Sequence, residues 1–306
     1  MIPPVVLMGV LLSGQPELGA LYTAARSYDK TAFRWKRPAE PQLARTRALI
    51  AAVVKQIRPG APPEALAAQA KAAGFELTLA KDAGGPIWTL SEPAGVRAGA
   101  GLYAFRAGAA RRLCIQAPHT FFDQGTGEIA LSLFARLEAS CLFVNTVHRY
   151  SKTDPSPAGV AGADEHPADV AHTEATWFAA ANAGLLDAAP LAIVQIHGFG
   201  AQPELPAEVR AVVADGQSTR AGDAPAVRLR AALAVRLGGA AAVRLYGLDA
   251  DVLGATTNVE GKAARRAHAI FLHIEMNAAT RRALGADVTP LASAIRETLD
   301  APAAKP

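Results

Sequence analysis

The residues able to do chemistry stand where apolar runs end. RRLCIQA runs into PHTFFDQGTGE, which sets His119 and Asp123 on one polar stretch with Glu128 a little further on. Neutral imidazole and carboxylate oxygen both bind zinc at about 2.0–2.2 Å, so this is half of a metal site. Read plainly, Asp123 or Thr126 would instead cap the helix that follows. LAIVQ ends in Ile196-His197-Gly198-Phe199-Gly200, a second histidine at the same kind of run end, followed by glycines that permit a tight turn. In AIFLHIEMN, alternation puts Phe271, His273 and Glu275 on one face of a strand. A carboxylate on so apolar a strand is costly unless it is paired or has a chemical task. Proton transfer to and from a metal-activated water is such a task, and an ion pair with Arg281 or Arg282 is the plain alternative. ASCLFV ends in Asn145-Thr146-Val147-His148-Arg149, where the planar fork of Arg149 suits a carboxylate or a polarised carbonyl.

Other motifs fail on spacing. Gly254 to Gly261 is too long a gap for a phosphate loop, and Ala263 stands where Ser or Thr is required. That glycine-bounded loop is expected instead to flank the site and to touch substrate through Thr257 or Asn258. GAGLYA, from Gly99, is followed by a strand pattern and not by the helix of a dinucleotide fingerprint. No Gly-x-Ser-x-Gly elbow supplies a serine nucleophile. His166 and His172 flank a long Pro-, Asp- and Gly-rich loop and read as surface histidines.

Taken in order, the Pro-His after a strand, the Asn and Arg after the next, the Ile-His-Gly strand end and the closing Ile-Glu-Met-Asn followed by Arg281 resemble the N-formylglutamate amidohydrolases. That group shares the zinc carboxypeptidase architecture, and the resemblance covers about residues 110–285. It implies one zinc ion (Zn2+) held by His119, an acidic residue and His197. Glu275 would promote attack by water, and Arg149 would grip the substrate. The carboxypeptidase-type motif places its acid three residues after the histidine; here Phe122 holds that place, Asp123 lies one further on and Glu128 is the alternative. The expected activity is zinc-dependent hydrolysis of an amide or peptide bond next to a carboxylate, in an N-acyl amino acid or small peptide, with Asn145, Thr257, Asn258 and Arg281 contacting substrate. The displaced acid also admits a rival, a binding or structural module that keeps the fold without turnover.

These residues need elements to position them. Of 306 residues, 51% are hydrophobic and 19% charged, enough to build a large core and unlike a disordered chain. Heavy alanine use and few aromatics favour closely packed helices over a β-sandwich. Residues 1–38 lack a clear period and read as an extension, followed by helices from Pro41 to the Pro59-Gly60 stop and over about 64–73. FELTLA, PIWTLSE and GLYAFRAG read as an antiparallel meander. From Arg112, RRLCIQAP, ASCLFVNT, LAIVQIHG, EVRAVVAD, AAVRLYG and AIFLHIEMN read as strands, with helices near 127–139, 169–186, 225–238 and 277–286. The expected fold is α/β, a mostly parallel or mixed sheet with helices on both faces. Residues 1–75 would form an N-terminal extension and 76–306 the catalytic domain.

The net charge of +4 comes from a basic excess confined to residues 26–58, without aromatic interleaving or zinc-finger spacing, so a solvated surface is expected and no nucleic-acid partner. Cys114 and Cys141 read as buried strand thiols, with a single disulfide as the lesser alternative. The apolar run Val5 to Leu12 is too short to span a membrane. The first twenty residues resemble a weak export signal, which tilts the expected location toward periplasm or secretion over cytoplasm.

Overall fold

The computed structural model describes residues 15–26, 35–108, 110–151, 166–189, 191–219, 222 and 224–301. Alternating runs broken by glycine and aspartate form the antiparallel part of a nine-stranded sheet: β1 (Glu76–Asp82), β2 (Gly85–Ser91) and β3 (Leu102–Arg106). The turn into β2 needs Gly85, whose φ of 111° disfavours any side chain. The continuous apolar runs, shielded from water on both sides, form the parallel centre. It comprises β4 (Arg111–Ala117), β5 (Ala139–Val144), β6 (Ala192–Phe199) and β9 (Phe271–Asn277), with β7 (Ala211–Ala214) antiparallel to β9 and parallel to β8 (Val243–Leu245). The full order is β1-β2-β3-β5-β4-β6-β9-β7-β8, so the mixed sheet and all six expected central strands are present.

Helices cover both faces. One apolar cluster joins α1 (Leu18–Arg26), α4 (Thr126–Arg136), α6 (Pro225–Leu237), α8 (Ala278–Ala286) and α9 (Thr289–Asp300) to the sheet. The other joins α2 (Glu40–Gln56), α3 (Glu64–Ala72), α5 (Trp177–Ala188) and α7 (Val259–Arg266) to its opposite side. The link from β4 to β5 thus runs over one face through α4, and the link from β5 to β6 over the other through α5. This leaves a crevice outside the carboxyl end of β4, the place where such sheets bind ligands.

Several boundaries differ from expectation. The helix read over 169–186 starts only at Trp177, where the Thr176 hydroxyl accepts from Ala179 N at 3.1 Å, so residues 166–176 stay irregular. The polar loop before β9 contains α7, capped by Asn258. The supposedly aperiodic N-terminal stretch includes α1, which buries Leu18 and Tyr22. Residues 1–14 of the export-like segment lie outside the described residues. Cys114 and Cys141 are in register on neighbouring strands, buried, and both free thiols. Arg26 and Arg47 of the basic stretch pair with Glu128 and Asp187 at the surface. Among the described residues no helix is long and apolar enough to cross a membrane.

Candidate metal centre

Parallel pairing aligns the carboxyl ends of β4, β6 and β9, and in-register pairing sets His197 beside Glu275. His119 follows β4 in a tight turn in which Asp123 N donates to His119 O at 2.7 Å. This turn explains the displaced acid: a helical i, i+4 spacing returns Asp123 to the side of His119, while Phe122 is turned outward and 47% exposed. Asp123 Oδ2 lies 3.6 Å from His119 Nδ1 and 3.4 Å from His197 Nδ1. The backbone N–H of Gly198 donates to that same oxygen at 3.0 Å. His119, Asp123 and His197 are all buried, and their ligand atoms lie within 4.8 Å of one another.

These separations fit a shared cation better than direct hydrogen bonds. Neighbouring ligands of a tetrahedral ion with bonds of ~2.1 Å sit about 3.4 Å apart. The protonation states of His197 and Asp123 agree with that fit. Burial is the largest influence on His197 and pushes its pKa down to about 4, so near neutrality it is the uncharged imidazole a metal requires. Burial would raise Asp123, but its interactions with His119 and His197 outweigh that and hold the carboxyl well below the usual range.

A second set of contacts orients His119. Asp169 Oδ1 accepts from His119 Nε2 at 2.8 Å, which leaves the Nδ1 lone pair facing Asp123. Asp169 also accepts from Arg149 Nη2, and its Oδ1 is 3.1 Å from His172 Nδ1. Arg149 Nη1 is 3.5 Å from His119 Nδ1, and its guanidinium packs against the Phe122 ring at 5.4 Å and the Tyr150 ring at 5.3 Å, two rings that themselves meet edge to face at 5.1 Å. Burial alone would lower His119, yet Asp123 and Asp169 together raise it above the ordinary histidine value.

Glu275 is buried and its Oε2 has no hydrogen-bond partner. Burial, reinforced by the charge of Asp123, pushes its pKa up to about 8. No ion pair joins Glu275 to Arg281 or Arg282 among the described residues. His273 Nε2 lies 3.8 Å from Glu275 Oε1, and the His273 and His197 rings are 4.4 Å apart.

Other expected residues stand elsewhere. Glu128, the alternative acid, projects from the first turn of α4 toward solvent and pairs with Arg26 at 2.8 Å, so it does not join the cluster. Asn145 is buried, donating to the carbonyls of Pro118 at 2.7 Å and Val147 at 2.9 Å, and so clamps two loops. Asn258 spends its side chain on the α7 cap and on Gln195. Arg281 donates to the carbonyls of Gln124 at 2.9 Å, Phe199 and Met276, bracing the loops behind the site. Thr257 is exposed. Asp169 was not anticipated, because its segment read as the start of a helix over 169–186 and only folding carries it to His119. Gln195 and Gln116 did leave a signal: each is a polar residue within an apolar strand, which burial obliges to find partners.

No protein-family model matches the chain, and no curated protein matches it. Solved structures do. The cell shape determinant Csd4 of Helicobacter pylori aligns at 15% identity over 63% of this chain and 52% of its own, with a TM-score of 0.41. The chain thus spans about half the length of that protein. A metallo-carboxypeptidase from Burkholderia cenocepacia aligns at 14% identity over 83% of this chain and 68% of its own, TM-score 0.41. An aspartoacylase family protein from Mesorhizobium loti aligns at 12% identity over 74% and 65%, TM-score 0.37. At similarities this low, the functional reading rests on the site's own geometry.

Proposed function

We propose that the chain is a zinc-dependent hydrolase that cleaves an amide or peptide bond next to a carboxylate, in an N-acyl amino acid or a small peptide. The observation that carries this reading is the convergence of His119 Nδ1, Asp123 Oδ2 and His197 Nδ1 at the carboxyl edge of the sheet, beside the unpartnered carboxyl of Glu275. Those three side chains would hold the zinc. When bound, zinc supplies Lewis acidity that lowers the pKa of water toward ~7 and polarises the scissile carbonyl.

The chain's own residues do the rest. Glu275 takes a proton from the attacking water as the water oxygen bonds to the carbonyl carbon, then returns it to the nitrogen as the C–N bond breaks. A carboxyl whose pKa burial brings from the usual 4.5 up to about 8, near neutrality, is suited both to take that proton and to return it. Arg149, tethered by Asp169 and backed by Phe122 and Tyr150, offers its fork to the substrate carboxylate or to the oxygen that gains negative charge. Asp169 holds the tautomer of His119. Thr257 stands exposed on the loop before α7 and is proposed as a rim contact for substrate. The order of the strand-end motifs is our ground for proposing a carboxypeptidase-like chain of the N-formylglutamate amidohydrolase type. The i, i+4 turn that returns Asp123 to the side of His119 supports this reading over a non-catalytic module.

The test is hydrolysis of a panel of N-acyl amino acids and short peptides by zinc-loaded protein, with amine release followed and Glu275→Gln as control. Turnover in the wild type, lost in the variant, supports the reading. A zinc-loaded wild type inert to the whole panel contradicts it.

A further inference from the structure

We propose that Gln195 is a positioning residue that fixes the tautomer of His197, and that its own orientation is dictated by the cap of α7 through Asn258. At one end of the chain of contacts stands a backbone group that can only donate. The N–H of Gly261 donates to Asn258 Oδ1 at 2.8 Å, so the other end of the Asn258 amide is its NH2. That NH2 lies 2.6 Å from Gln195 Oε1, which must therefore be an oxygen. The far end of Gln195 agrees: its NH2 donates to Gln116 Oε1 at 3.1 Å and faces Glu260 Oε2 at 3.4 Å, while Gln116 in turn donates to Asn182 Oδ1 at 2.9 Å.

All five of these side chains are buried, with Gln195, Gln116 and Glu260 wholly inaccessible. Turning the Gln195 amide over would set NH2 against NH2 at Asn258 and oxygen against oxygen at Gln116 and Glu260, with no water to relieve either pairing. His197 Nε2 lies 2.9 Å from the oxygen thus fixed. It must carry the hydrogen, and the lone pair is left on Nδ1, the atom 3.4 Å from Asp123 Oδ2. The two histidines of the cluster are thereby oriented by different means, His119 by the carboxylate of Asp169 and His197 by a neutral amide that adds no further negative charge to the cluster.

The consequence for zinc rests on the function proposed above; the tautomer does not. The experiment uses full-length, metal-free protein labelled with 15N at histidine, reading each ring by long-range 1H–15N correlation and assigning His197 by its loss in His197→Gln. Zinc affinity is then measured by competition with a chelator. The wild type is expected to show hydrogen on Nε2 of His197. Asn258→Asp keeps the acceptor for Gly261 but replaces the NH2 facing Gln195, turning that amide round. The hydrogen is then expected to move to Nδ1, with zinc affinity falling about 10- to 100-fold. Gln195→Leu, which removes the acceptor, is expected to leave a mixture of tautomers and serves if Asn258→Asp does not fold, as judged by circular dichroism. A wild type with hydrogen on Nδ1, or variants that fold yet leave the tautomer and affinity unchanged, would overturn the proposal. The expected tautomers in a wild type that binds no zinc would uphold it and overturn the function instead.

Discussion

Glu275 and Asp169 are both buried carboxyl groups at the candidate metal centre, yet their surroundings suit them to opposite tasks. Glu275 has an oxygen without a partner and a pKa pushed up to about 8, whereas Asp169 is surrounded by His119, His172 and Arg149, which hold it well below the carboxylate range. A group that must exchange a proton belongs in the first setting, and one that must stay charged to orient a ligand in the second. Glu275→Gln is therefore expected to lower kcat by about 10²- to 10⁴-fold while zinc content stays at the wild-type level. Asp169→Asn is expected to weaken zinc binding by about 10- to 100-fold, because a neutral amide holds the His119 ring less firmly. Chelator competition separates the two, since only the second variant should release its metal more readily. Equal zinc affinity in wild type and Asp169→Asn would contradict the role given to Asp169.

At the scale of elements, β6 and α7 form one polar unit inside an apolar body. Glu260, in the first turn of α7, is fully buried and its pKa is pushed from the usual 4.5 to about 8, chiefly by burial. Between those values the folded chain keeps a proton that the unfolded chain has released, so stability falls as pH rises through the window, by up to ~1.4 kcal/mol per pH unit. In metal-free protein, Glu260→Gln is expected to flatten the decline of Tm from about pH 5 to about pH 8. Parallel Tm curves for variant and wild type would contradict this. The elements also show what the sequence could reveal. Strands β4 to β7 were legible as apolar runs ended by polar residues, an ending that singled out His119 and His197, while alternation along β9 singled out Glu275. Helix α7 was not, since VEGKAARR has few apolar residues and its buried face is made of Val259, Glu260, Gly261 and Ala264. Asn258 consequently read as a substrate contact when it is a cap. The start of α5 was misread for a related reason: ADVAHTEA has an apolar rhythm compatible with a helix, yet its Asp169 turns to His119 and pairs with His172 on the way.

Across the whole molecule, long-range contacts tie together segments that are distant in the chain. Arg106 on β3 donates to both oxygens of Asp82 on β1, at 3.0 and 2.6 Å, and to Phe134 O at the end of α4, with its guanidinium 4.4 Å from the Phe134 ring. The ion pair is almost wholly buried, so removing one partner strands the other charge. Arg106→Ala is expected to cost about 3–5 kcal/mol of unfolding free energy in urea titrations. A loss below about 1 kcal/mol, the range of exposed pairs, would contradict the buried reading. On the opposite face, Gly184 of α5 lets the backbone of α2 approach so closely that a methyl group there would overlap the Arg47 carbonyl. Neither feature has a local sequence signature, because each depends on strands or helices far apart in the chain.

The central claim is a single zinc held by His119, Asp123 and His197, and metal content tests it most directly. Purified protein would be loaded with zinc, dialysed and analysed by mass spectrometry, beside His119→Ala and His197→Ala checked for folding by circular dichroism. About one zinc per wild-type chain, lost from both folded variants, is the result expected of a three-ligand site. A wild type that retains no zinc after loading, or variants that retain it in full, would contradict the account.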